Sequence, residues 1–135
     1  MAWHLGYAIL FVEDFDRAVG FYVDKVGLPV RHRAEGYVEF AVEGSKFALL
    51  ARRRVSALVG ETHAGIRPRG AHEGEVAFLV EDVDRVYREL AARGVPFVCA
   101  PQNRPWGQRI AYFDDPDGHL IEIATNLPWP APCPA

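Results

Sequence analysis

Apolar positions recur along the chain at two spacings, and the same succession of spacings occurs twice. Tyr7–Val12 is a short run rich in aromatic and branched residues, as a strand requires. Asp14 and Asp16 follow and can cap a helix, which then carries Phe15, Val19, Tyr22, Val23 and Val26 on one stripe. Gly27 ends that helix and Pro29 bars its continuation. Three further strands are predicted at Val30–Ala34, Tyr37–Val42 and Lys46–Ala51, with Glu43-Gly44-Ser45 as a hairpin turn. A fifth strand, from about residue 75, opens the second copy and precedes a helix with Val83, Val86, Tyr87, Leu90 and Ala91 on its apolar stripe, closed by Gly94 before Pro96. Strands at Val95–Ala100, Arg109–Asp114 and His119–Ala124 complete it, the last two joined by the turn Asp115-Pro116-Asp117-Gly118.

The two halves are copies. Laying the segment from Gly6 to Arg17 over that from Gly74 to Arg85, a displacement of 68 residues, gives identity at six of twelve positions, including the capping aspartates. The expected architecture is α+β, with two tandem βαβββ modules whose mixed sheets face one another as a cup for a small molecule. One domain, residues 1–135, is expected: module one at about 5–51, a linker at 52–73, module two at about 74–124 and a proline-rich tail at 127–135.

Composition narrows the function. A chain half apolar and a quarter charged can bury a core. A net charge of −3 offers no field for nucleic acid or an anionic membrane, and the one basic run, Arg52-Arg53-Arg54, reads as a solvated loop edge. Met1-Ala2-Trp3-His4 has no basic leader character, and Glu13-Asp14 interrupts the apolar run behind it, so neither a signal peptide nor a membrane span is expected. Cys99 and Cys133 stand far apart with no CxxC, which fits a reducing cytoplasm.

Strand parity supplies candidate chemistry. If Ala8, Leu10 and Val12 pack on the first helix, then Tyr7, Ile9 and Phe11 face away from it. In the second copy Val76, Phe78, Val80, Ile121 and Ile123 take the helix side, which sends Glu75 and Glu122 to the opposite, otherwise apolar face. Two carboxylates there need partners. They lie at solvated strand ends, pair with Arg109, accept a cationic or hydrogen-bonding ligand, share a proton as an acid–base pair, or help hold a metal. Trp106, in the rigid segment Arg104-Pro105-Trp106-Gly107, presents an indole beside the sheet that is either a core-edge aromatic or the anchor of an aromatic ligand, in the second case with Phe40 or Tyr112 beside it. Gln108 and Arg109 offer donors for a carboxylate or carbonyl.

Val12-Glu13-Asp14, Phe21-Tyr22, Gly27-Leu28, Pro105-Trp106-Gly107-Gln108 and the run from Asp115 to Glu122 together resemble the glyoxalase/bleomycin resistance/extradiol dioxygenase (vicinal oxygen chelate) superfamily. The resemblance implies a cup-shaped incomplete barrel and assembly as a homodimer. It also implies that metal-dependent members place ligands where this chain has Tyr7, Ala48 or Leu49, Glu75 and Glu122. Only Glu122 retains the superfamily's residue, and His4, His32, His63, His72 and His119 show no HxxxH or HxH pairing. No metal or cofactor is therefore expected, although a weak divalent site at Glu75 and Glu122 stays open. The leading expectation is a metal-independent binder of a small cationic or aromatic drug or metabolite at Tyr7, Phe40, Glu75, Trp106, Gln108, Arg109, Tyr112 and Glu122. The alternative is a glyoxalase-like lyase, isomerase or epimerase in which Glu122, helped by Glu75 or Tyr7, moves a proton.

Overall fold

Aspartate caps start both main helices, and glycines in the left-handed region follow both. In the computed structural model, which describes residue 2, residues 5–59 and residues 75–128, Asp14 accepts a hydrogen bond from the Arg17 backbone N–H at 3.1 Å and Asp82 from that of Arg85 at 3.1 Å. Gly27 and Gly94 lie at φ 89° and 87°, a conformation that costs a side-chain-bearing residue about 1–2 kcal/mol.

The chain divides into two compact units, Met1–Ala71 and His72–Ala135. The first contains β1 (Tyr7–Val12), α1 (Phe15–Gly20), a wider π-helical segment (Phe21–Val26), β2 (Val30–Ala34), β3 (Tyr37–Phe40) and β4 (Lys46–Ala51). Its sheet runs β1-β4-β3-β2, with β1 parallel to β4 and the other pairs antiparallel. The second contains β5 (Glu75–Leu79), a helix (Val83–Ala92), β6 (Phe97–Arg104), β7 (Gln108–Asp114) and β8 (Leu120–Asn126), ordered β5-β8-β7-β6 on the same plan. Each unit is thus βαβββ with an open mixed four-stranded sheet, and the class is α+β as the repeat predicted.

Each core lies between helix and sheet. In unit 1, Tyr22 meets Phe40 and Phe47 at ring-centroid distances of 5.7 and 5.4 Å, and Phe40 stacks on Phe47 at 5.5 Å. In unit 2, Tyr87 of the helix meets Phe97 at 4.6 Å, and Phe97 meets Phe113 at 5.3 Å. The predicted parity holds: Val12 and Ile121 are buried, while Tyr7, Ile9, Phe11 and Leu79 keep large exposed areas on the other face.

Three expectations need correction. The first helix widens at Phe21, where Tyr22 C=O accepts from Gly27 N–H at 3.0 Å, and Phe21 is buried beside Tyr22 while the predicted Val23 and Val26 are half-buried. Strand β6 continues to Arg104 rather than stopping at Ala100. Register shifts between Phe97, Cys99 and Gln102, and an edge position, let Pro101 sit in the strand without a lost ladder bond. The segment expected as linker begins with a 3-10 turn (Arg52–Arg54) and a short helix α2 (Ser56–Val59), which makes the helix at Val83–Ala92 α3. Residues 60–73 of that linker, residues 129–135 of the tail, and with them His4, His63, His72 and Cys133, lie outside the described residues. Among the described residues no helix is long and apolar enough to cross a membrane.

Candidate functional site

Glu122 sits mid-strand on β8, between β5 and β7. Its level is set by the turn before it, where buried Asp115 accepts from the backbone N–H groups of Asp117 and His119 at 3.0 and 2.8 Å and meets His119 Nδ1 at 2.7 Å. Gly118, at φ 81°, closes the turn. From there β8 alternates: Ile121 and Ile123 enter the core, and Thr125 bonds to the start of α3. Leu120, Glu122, Ala124 and Asn126 therefore face away from the helix.

On that face Glu122 is directly opposite Tyr112 of β7 and one pleat from Glu75 of β5, whose own partner is Leu120. The single hydroxyl proton of Tyr112 is shared between Glu122 and Glu75, whose Oε1 accepts it at 3.4 Å. Glu122 is only 8% exposed. Burial pushes its carboxyl above the ordinary value, the Tyr112 hydrogen bond pulls it down, and the Glu75 charge raises it again. The Tyr112 phenol is raised too, first by burial and then by its bond to Glu122 and the two carboxylate charges. Among the described residues no lysine, arginine or histidine pairs with either carboxylate.

The expected partner Arg109 is elsewhere. It lies on the helix side of β7, where its Nε and Nη2 bond both oxygens of Asp84 on α3 at 2.8 and 2.9 Å. Its place as a ligand donor is thereby corrected: one residue of parity separates it from the Gln108–Tyr112 face. Phe40 is corrected likewise, being fully buried against Tyr22 and Phe47 on the helix side of unit 1. Trp106 is 63% exposed, its indole N–H donating to Gln108 Oε1 at 3.0 Å, while Gln108 Nε2 donates to Asn126 Oδ1 at 2.9 Å. Tyr7, exposed on β1 of unit 1, has Lys46 Nζ 3.4 Å from its hydroxyl and 4.9 Å from its ring centroid. Unit 2 by itself thus brings together Glu75, Tyr112 and Glu122, with Gln108 and Trp106 further along the face.

One carboxylate escaped the sequence reading. Glu39 of β3 is 8% exposed, accepts from the Tyr37 hydroxyl at 2.9 Å and lies 3.9 Å from Arg31 Nε. Burial, then Glu39, pushes the Tyr37 phenol up to about 12. The signal was present: Tyr37 and Glu39 alternate with the apolar Val38 and Phe40, and parity applied to β3 as to β8 exposes it.

The sequence model of the Glyoxalase/Bleomycin resistance protein/Dioxygenase superfamily matches residues 4–123. The chain belongs to this superfamily. The Bacillus subtilis (strain 168) protein YraH, itself uncharacterised, is 37% identical over 122 residues, spanning 87% of this chain and 94% of YraH. Catechol-2,3-dioxygenase of the same bacterium is 27% identical over 127 residues, 93% of this chain but 42% of that enzyme. Among solved structures, a glyoxalase/bleomycin resistance protein/dioxygenase from Nocardioides superposes with a TM-score of 0.80 at 26% identity, covering 100% of this chain and 91% of the other.

Superfamily members that use a metal prompt a test of the donors present here. Parity selects Ala48 over Leu49, since Leu49 enters the unit 1 core and Ala48 lies on the opposite face. The four implied places then hold a phenol beside an ammonium, a methyl group and two carboxylates joined through a tyrosine. That set lacks imidazole and has one position with no donor atom, so it does not fit a catalytic divalent ion. Among the described residues no group of three His, Cys, Asp or Glu side chains converges as a metal site.

Proposed function

We propose that this superfamily member binds a small organic cation on the unit 2 sheet face without a metal, sequestering a drug or metabolite. The observation that carries the reading is Glu122, a nearly buried carboxylate with a second carboxylate one pleat away and no cationic partner among the described residues. Such a group is costly when ionised, by several kcal/mol in apolar surroundings, and a ligand cation offsets that cost. The exposed Trp106 indole, held by Gln108, suits an aromatic or cationic portion of the same ligand. Calorimetry with benzylamine, benzamidine and benzyltrimethylammonium is the direct test. Saturable binding that weakens at least about tenfold in Glu122→Gln supports the reading; a flat isotherm for all three sinks it. Homodimeric assembly belongs to the same proposal, checked by light scattering for a mass of two chains.

A second reading rests on the raised Glu122 carboxyl. A carboxyl held above its ordinary value by burial and a like charge is suited to taking and returning a proton next to a carbonyl, as a lyase, isomerase or epimerase needs. Deuterium uptake from heavy water at the carbon next to the carbonyl of a 2-oxoacid or hemithioacetal, abolished in Glu122→Gln, would establish it. Absence of exchange leaves the binder.

A further inference from the structure

The carboxylate end is one pole of the unit 2 face; at the other end stands Arg104, the last residue of β6. Arg104 pairs with Gln108 across β7, so its side chain leaves the sheet on the side of Gln108 and Tyr112. Its neighbour Asn103 confirms the parity by pointing to the helix side, where its Oδ1 accepts from Arg109 Nη1 at 3.1 Å. The Nε of Arg104 is buried and has no hydrogen-bond partner among the described residues. Nor does its guanidinium form any of their ion pairs, whereas Arg109 has Asp84, and Arg53 and Arg54 share Glu35.

The neutral side-chain acceptors at this corner each already accept one bond. Gln108 Oε1 takes the Trp106 indole N–H, and Asn126 Oδ1 takes the Gln108 amide. A buried guanidinium N–H without an acceptor is a standing cost, removed when an oxyanion arrives, and the planar fork of arginine matches a carboxylate with two parallel bonds. The buried pair Ile110 and Ala124 separates this corner from Glu122 and Tyr112. Gln108 and Tyr112 are four residues apart on β7, so the poles lie on the order of 13 Å apart along the strand at ~3.3 Å per residue, before the long side chains shorten the gap.

We propose that the ligand of this face is amphoteric: its cationic group meets Glu122 and Glu75, its carboxylate meets Arg104, and an aromatic portion lies by Trp106. This rests on the cation-binding reading above and names the ligand class. A charge-matched set of probes separates the two: 3-[4-(aminomethyl)phenyl]propanoate carries both charges, its primary amide only the cation, and its N-acetyl derivative only the anion. With the whole chain in calorimetry, the first binds about tenfold or more tightly than the amide. Arg104→Gln abolishes that preference, so that the two probes bind alike. The arginine Nε–H resonance of Arg104, assigned by its loss in Arg104→Lys, shifts with the doubly charged probe and not with the amide, which keeps the test independent of how well Arg104→Gln folds. Equal affinity for the two probes, a preference that survives in Arg104→Gln, or a still Nε–H signal overturns the anionic pole and leaves the cation site standing. No saturable binding of either probe overturns both.

Discussion

Ionised Glu122 is costly in the free protein because its surroundings are dry and its neighbour Glu75 bears the same charge. Its folded-state value is raised above the ordinary 4.5. The stability it contributes is therefore full below that ordinary value and is lost as pH rises through the folded value. Glu122→Gln removes the ionisable group, so the ligand-free variant is expected to be more stable than the parent at pH 7, with the gap closing toward pH 4.5; urea melts across that range check it. A mere structural role would give the opposite sign. Tyr37 provides an independent readout, since its phenol is pushed up to about 12 by burial and by Glu39. In a titration followed by phenolate absorbance, Tyr37→Phe is expected to remove a tyrosine that ionises near pH 12, and a loss confined to pH 10 would contradict the buried hydrogen bond.

Elements place these side chains, and two residues show how. Arg109 and Tyr112 share β7, yet one reaches Asp84 on α3 and the other Glu122 on β8, because successive strand residues leave on opposite faces. The Asp84 carboxyl is held below its ordinary value first by the Arg109 hydrogen bond, and its stabilisation is lost as pH falls through that lowered value. Both side chains are a third or more exposed, so the pair is screened. Arg109→Ala is expected to cost no more than about 1 kcal/mol and to leave cation affinity unchanged, readable by melts and calorimetry on one sample. Phe40 lies at the other extreme, filling the core against Tyr22 and Phe47. Phe40→Ala is expected to cost about 3–5 kcal/mol in a denaturant melt, as a core truncation rather than a lost ligand contact. The widened turn after Gly20 and the shifted register of β6 act at the same scale, each moving residues by a fraction of a turn or one pleat.

Across the whole molecule, the duplicated units share a topology and differ in charge chemistry. Unit 1 carries the buried Glu39 on β3 with Arg31 3.9 Å away; unit 2 carries the buried Glu122 on β8 with another carboxylate nearby and no cationic partner among the described residues, while its second buried acid, Asp115, is held by the turn and by His119. The two units share a frame and differ in where their buried acids stand. One cation per chain is the expected stoichiometry, abolished in Glu122→Gln and retained in Glu39→Gln. Two equivalent sites per chain in calorimetry, or equal losses in the two variants, would contradict this asymmetry.

Much of this was legible in the residues because it depends on near neighbours along the chain. The βαβββ repeat, the aspartate caps, the glycine stops, the turn at Asp115–Gly118 and the placing of Glu75 and Glu122 on one face all follow from local periodicity and turn chemistry. What only the tertiary structure decided depends on register between distant segments. Arg109 chose Asp84, Phe40 joined the core, β6 ran on past Pro101, and Arg104 was left with a buried N–H and no acceptor among the described residues. A one-residue step in pairing exchanges the faces of a strand, and the pattern of a single strand does not record which residue of its partner lies across from it.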